Sequence, residues 1–234
     1  MIFKQFFEPE SSTYTYLLGC EETKQAVLID TVGSEIDSYI EQLEKNGLKL
    51  IYTLETHVHA DHITAADPLR KKLGCKSVMH QKAAPTCVDL SVTNHEHLKV
   101  GSIDIEVRYT PGHTNGCTSY FCNNMIFTGD TLLIGGCGRT DFQMGDAGQL
   151  FDSIHNQIFQ LPDDTLIYPG HDYNGKTRST VGHEKRHNAR LGNNKSREDF
   201  IVLMSKLKLD YPKQIDKALP ANEACGRVDS QQPS

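Results

Sequence analysis

No uninterrupted apolar run in the chain approaches the ~18 residues needed to cross a bilayer, and mean hydropathy is low at −0.46. A membrane-spanning protein is therefore not expected. Positive charge is in deficit: 24 Lys and Arg stand against 30 Asp and Glu among 234 residues, a net of −6. That balance argues against nucleic acid, and against an anionic membrane surface, as the main partner. Cysteine patterning is also missing. The seven cysteines are odd in number, irregularly spaced and free of any C-x-x-C pair, which reads as reduced thiols serving as small buried hydrophobes rather than a disulfide frame. The N-terminal Met1-Ile2-Phe3-Lys4-Gln5-Phe6-Phe7-Glu8-Pro9 has neither the apolar core of a secretory signal nor an Arg- and Ser-rich presequence, so the expected compartment is the cytoplasm. With no internal repeat and no low-complexity block, the expectation is one domain over residues 1–234 with a polar, loosely held extension from about Pro220.

Periodicity supplies the framework. Residues 34–47 form the clearest helix, with Ser34 and Asp37 as cap and acidic third position, Ile36, Ile40 and Leu43 on one face, and Gly47 as the stop. A second helix is expected over 148–160, where Leu150, Ile154 and Ile158 recur every four residues. Between them, runs at 25–30, 50–56, 103–110, 125–129 and 165–169 carry strand character in their β-branched, aromatic or alternating residues. Strands and helices mixed in this order imply a layered α/β fold.

Chemistry-bearing residues stand at the C-terminal ends of four of these strands. The run 50–56 leads into Thr56-His57-Val58-His59-Ala60-Asp61-His62, 103–110 into Pro111-Gly112-His113, 125–129 into Asp130 and 165–169 into Gly170-His171. Loops at that edge converge while strands hold them rigid. Imidazole and carboxylate suit divalent zinc, iron, manganese or nickel, and the lack of clustered thiols disfavours an iron–sulfur cluster. The H-x-H-x-D-H loop has enough donors for two adjacent ions, with Asp130 able to bridge them as in two-metal hydrolases. The bland alternative for any one of His113, Asp130 or His171 is an ordinary surface or capping residue; it is their joint placement that argues for a site. His80, His95, His97, His155, His183 and His187 lack this context and are assigned no function.

The segment 56–62 with His113, Asp130 and His171 resembles the metallo-β-lactamase superfamily, which implies an αββα sandwich with metal at one edge of the two sheets. The flanking segments 111–118, 127–144, 161–181 and 220–226 resemble the persulfide dioxygenase family more narrowly. That resemblance implies a non-haem iron enzyme converting glutathione persulfide, O2 and water into glutathione and sulfite. It assigns one Fe(II) per chain to His57, His113 and Asp130, two imidazoles and one carboxylate. It leaves His59, Asp61, His62 and His171 to orient those ligands and line the site by hydrogen bonding. Composition alone would favour the alternative, since those four residues would complete a two-metal site: a dinuclear hydrolase, of glutathione thiolesters if it is of the glyoxalase II type. Only 63 residues follow His171, short for the helical C-terminal substrate domain of such hydrolases.

Arg139 and Tyr173, just beyond metal-ligand strand ends, are the candidate contacts to glutathione, since Arg grips a carboxylate with two parallel hydrogen bonds. The alternatives are a structural ion pair for Arg139 and a packed ring for Tyr173. The basic stretch 176–197 is read as solvated helix and loop, because no aromatic residue interleaves with its charges. Cys137 and Cys225 are marginal candidates for redox or persulfide chemistry. Pairing of two chains as a homodimer is expected only from the size of the chain.

Overall fold

The computed structural model describes residues 1–83 and 85–227. The chain forms β1 (Ile2–Glu8), β2 (Thr13–Gly19), β3 (Gln25–Ile29), α1 (Ile36–Lys45), β4 (Lys49–Leu54), α2 (Ala66–Leu73), β5 (Lys76–His80) and β6 (Leu90–Val92). There follow β7 (His97–Val100), β8 (Ile103–Tyr109), β9 (Thr118–Cys122), β10 (Met125–Gly129), α3 (Ala147–Ser153), β11 (Leu166–Pro169) and β12 (Ser179–Thr180). Three helices close the chain: α4 (Val181–His187), α5 (Arg197–Ser205) and α6 (Ile215–Glu223). All five strands expected from the sequence are present, with ends displaced by at most two residues.

Two sheets result, one in the order β1-β2-β3-β4-β5-β6 and the other β12-β11-β10-β9-β8-β7. Alternation along each strand decides which face it buries. Tyr16, Leu18, Val27 and Ile29 of the first sheet meet Ile105, Val107, Tyr120 and Phe127 of the second in a shared core. Leu17 and Leu28 point the other way, onto Tyr39 and Leu43 of α1 and Leu69 of α2. On the outer face of the second sheet, Ile126 and Ile167 pack with Leu150 of α3, Val181 of α4 and Phe200 of α5. The layers are helix, sheet, sheet, helix, the αββα sandwich that the resemblance implied. Among the described residues no helix is long and apolar enough to cross a membrane.

Several local expectations are corrected. The helix expected over 34–47 begins as a 3-10 turn at Gly33–Glu35, and α1 has no side-chain cap hydrogen bond, so Ser34 does not cap it. Gly47, at φ +61°, does end it. The helix expected over 148–160 is α3 running into a π turn at Ile154–Ile158, capped by Asp146, whose carboxylate accepts from the Gln149 N–H. The chain beyond Pro220 is not a loose extension as far as it is described. Pro220 lies inside α6, and Cys225 is joined to Cys87 across 138 residues of sequence. That disulfide also overturns the reading of all seven cysteines as reduced thiols, one premise of the cytoplasmic expectation; the five others are free and buried. Residues 228–234, the rest of the expected extension, lie outside the described residues.

Candidate metal centre

Four parallel-running strand ends from both sheets deliver the polar groups. In the first sheet β3 pairs parallel with β4, so Asp30 and Thr31 emerge beside Glu55 and Thr56. In the second sheet β10 pairs parallel with β11, which brings Asp130 beside His171. A glycine is needed where the two sheets' ends meet: Gly129 has φ +50°, and a Cβ there would lie 2.2 Å from Thr56 Oγ1. Gly138 is needed for a similar reason, since its Cβ would stand 2.9 Å from His113 Nδ1 and 2.4 Å from the Asp130 carbonyl.

His57, His113 and Asp130 offer ligand atoms that all lie within 4.8 Å of one another. Each imidazole is oriented through its other nitrogen. Thr56 Oγ1 donates to Asp30 Oδ2 at 2.9 Å, so its lone pair is what faces His57 Nδ1, also at 2.9 Å. The proton of His57 therefore sits on Nδ1 and the lone pair on Nε2. Likewise His113 Nδ1 donates to the Arg139 carbonyl at 2.7 Å, which leaves its Nε2 as an acceptor 3.6 Å from Asp130 Oδ2. Burial holds His57 well below the usual imidazole pKa, with positive charge on His59 adding to the effect.

The remaining residues of the loop behave differently. His59 turns its Nε2 to Asp30 Oδ1 at 3.1 Å and Glu55 Oε2 at 3.2 Å. Burial opposes its ionisation, yet the charge and hydrogen bonds of the two carboxylates prevail and hold its pKa well above the ordinary value. His62 donates from Nδ1 to Asp61 Oδ2 at 2.8 Å. Asp61 is half-buried, and its loss of solvent disfavours its charge, but attraction to His62 and His171 and the His62 hydrogen bond keep its pKa well below the usual carboxylate range. His171 donates from Nδ1 to the Ser12 carbonyl at 3.1 Å, and its Nε2 faces Asp61 Oδ2 and Asp130 Oδ1, each at 3.5 Å. Burial lowers the His171 pKa, but Asp130 and Asp61 reverse that and raise it.

A metal fits this donor set. Asp130 Oδ1 is buried without a hydrogen-bond partner, a costly state for a carboxylate oxygen that a cation held with the His57 and His113 Nε2 lone pairs relieves. The seven residues singled out around the metal, His57, His59, Asp61, His62, His113, Asp130 and His171, are thus gathered at one edge of the sandwich. Arg139 is nearby through its carbonyl, but its guanidinium grips Asp141 at 2.7 and 2.8 Å and donates to the Asp210 carbonyl at 2.7 Å. Tyr173 is 72 % exposed, its ring parallel to that of His171 at 6.0 Å. Of the histidines assigned no function, His95 pairs with Glu106 and His97 with Asp104. Burial pushes the Cys137 thiol up to about 11, and Cys225 is in the disulfide, so neither presents a reactive thiolate.

Sequence reasoning missed Asp30, Glu55 and Asn222. Asp30 and Glu55 stand at strand ends, where the same logic that found His57 would have found them. Asn222, 3 % exposed, falls in the 220–226 segment that carries the family resemblance, but nothing in its type or spacing points to the ligand loop.

A family model for the metallo-beta-lactamase superfamily matches residues 9–171. The chain is 47 % identical over 229 residues to the human protein named "Persulfide dioxygenase ETHE1, mitochondrial", covering 97 % of this chain and 89 % of that one. A fission yeast protein (Schizosaccharomyces pombe) named as a probable hydroxyacylglutathione hydrolase is 35 % identical over 179 residues, 73 % of this chain and 69 % of that one. Among solved structures, ETHE1 from Myxococcus xanthus superposes with a TM-score of 0.95 at 48 % identity, covering 97 % of this chain and 100 % of that chain.

Proposed function

Since the chain belongs to the metallo-beta-lactamase superfamily and, within it, to the persulfide dioxygenase family, it is an oxidoreductase, and we propose that it oxidises glutathione persulfide with O2 and water to glutathione and sulfite. One Fe(II) per chain would be held by His57, His113 and Asp130. The observation that carries this reading is the pairing of two imidazoles, each committed through Nδ1 and each presenting Nε2, with a carboxylate in the same small volume. Fe(II) bound there would supply the O2 chemistry that no side chain here offers.

The chain's own residues then have separable tasks. Asp30 and Thr56 hold the His57 proton on Nδ1, and the Arg139 carbonyl does the same for His113, so both rings are set before substrate arrives. Asp130 presents Oδ2 toward His113 and Oδ1 toward His171, whose Nε2 is placed to hold a proton between two carboxylates. His59, tied to Asp30 and Glu55, orients the loop rather than adding a fourth ligand. Tyr173, stacked on His171, and Arg139, whose carbonyl meets His113, are the proposed contacts for the tripeptide, Arg139 by exchanging part of its grip on Asp141 for a substrate carboxylate.

Oxygen consumption by anaerobically reconstituted protein, followed alongside sulfite release and S-lactoylglutathione cleavage, tests the reading. Uptake of O2 with sulfite formation supports it. Thiolester cleavage without O2 uptake would replace it with the dinuclear hydrolase, to which the loop's donor count remains suited.

A further inference from the structure

The ligand loop runs from Glu55 to Ala65 without regular secondary structure, and its buried backbone groups need partners that the sheets do not provide. Part of the answer is local: Gly33 N donates to the Ile63 carbonyl at 2.8 Å and Ala65 N to the Thr31 carbonyl at 3.2 Å. Three further groups are met by one side chain from the far end of the chain. Asn222 Nδ2 donates to the His59 carbonyl at 2.8 Å and to the His62 carbonyl at 2.7 Å, and its Oδ1 accepts from Thr64 N at 2.9 Å. Two carbonyls demand donors and one N–H demands an acceptor, so only a carboxamide in this orientation satisfies all three.

The segment carrying Asn222 is fixed at several points to elements that flank the loop. Cys225 is bonded to Cys87, Asp67 N donates to the Cys225 carbonyl at 3.0 Å, and Arg227 pairs with Asp67 at 3.1 Å. Asn222 also lies outside residues 9–171, the part matched by the superfamily model. The loop's metal-facing shape is thus completed by a segment that the shared superfamily region does not contain.

We propose that Asn222 is a positioning residue for the metal centre: by bridging residues 59, 62 and 64 it holds the ligand loop in its metal-binding form, acting on His57 through the loop backbone. This rests on the ligand assignment made above. The predicted cost of losing it is that of losing an outer partner of a metal ligand, about 10–100-fold in metal affinity. The isosteric Asn222→Asp keeps the Thr64 contact but sets a carboxylate oxygen against two carbonyls.

The test is chelator competition with Zn(II) and Co(II) on wild type, Asn222→Asp and Asn222→Ala, with the visible Co(II) spectrum as a second readout. A 10–100-fold weaker affinity with an altered Co(II) spectrum is expected, and for iron-loaded protein a fall in kcat with little change in KM. A lowered melting temperature with wild-type affinity and spectrum would show a purely structural role and overturn the proposal. If neither variant folds, wild type alone decides. Coupling is reciprocal, so loading Zn(II) must slow hydrogen exchange in peptides covering 215–227, and equal exchange with and without metal overturns the proposal. The metal measurements need no turnover, so failure of the dioxygenase reading would leave them standing, while sulfite formation with unchanged metal affinity in Asn222→Asp would remove only Asn222.

Discussion

His57 and His59 lie two residues apart on one loop, yet the regions they face treat them in opposite ways. Toward the second sheet, His57 meets His113 and Asp130; its environment is buried and positively biased, and its imidazole stays neutral with a free lone pair. Toward the first sheet, His59 meets Asp30 and Glu55, and two carboxylates keep a proton on it. Residue type is the same in both cases. The difference is made by which sheet's strand ends supply the neighbours, one side offering donors to a cation and the other already compensating a charge.

The comparison breaks most visibly if both sides prove to be ligands. His113→Ala is expected to abolish bound iron and turnover together, whereas His62→Ala should keep one iron per chain and lose about 10–100-fold in rate. Metal analysis by plasma emission and O2 uptake on the same samples check this, and equal iron loss in both variants would favour a dinuclear centre.

A smaller but sizeable effect is expected on the first-sheet side. Asp30→Asn removes the charge opposite His59 and one of the two buried acceptors that hold Thr56. Breaking such a pair costs about 3–5 kcal/mol, read as a lowered urea midpoint of the metal-free protein. A midpoint within error of wild type would show that His59 carries no proton.

Acid sharpens the contrast at its margin. Asp67 is buried, which raises its pKa, but Lys71, Arg227 and Arg70 outweigh this and lower it. A depressed carboxylate contributes its stability above the unfolded value and loses it as pH falls through the folded one. Wild type should therefore lose stability below about pH 4, and Asp67→Asn should flatten that part of the curve when urea midpoints are compared at several pH values. The smallest effect belongs to Arg139→Ala. With its guanidinium held by Asp141, its removal is expected to raise KM for glutathione persulfide about two- to fivefold with kcat nearly unchanged; an unaltered KM removes Arg139 from the substrate contacts.

Much of this was legible in the one-dimensional pattern. The run 125–129 is apolar and β-branched, bounded by Gly129, and it is the strand β10 to the residue. The H-x-H-x-D-H loop and the strand ends at His113, Asp130 and His171 announced a metal centre because those residue types recur at the same edge of successive strands. What failed did so for physical reasons. Ser34 resembled a cap, but the chain enters α1 through a 3-10 turn whose packing against the Ile63 carbonyl fixes Gly33 instead. Cys87 and Cys225 are 138 residues apart, and spacing gives no information about a contact made only when α6 docks beside the ligand loop.

Local sequence by itself determined the strands, the αβ order and the presence of imidazole and carboxylate ligands at the sheet edge, since each depends on side-chain periodicity or on residues adjacent in the chain. Only the tertiary structure decided that His59 faces Asp30 and Glu55, that Asn222 closes the loop from the C-terminal side and that Arg139 is committed to Asp141. Those outcomes depend on which groups meet across two sheets and on which buried polar atoms remain to be satisfied, and neither is written in the spacing of any one segment.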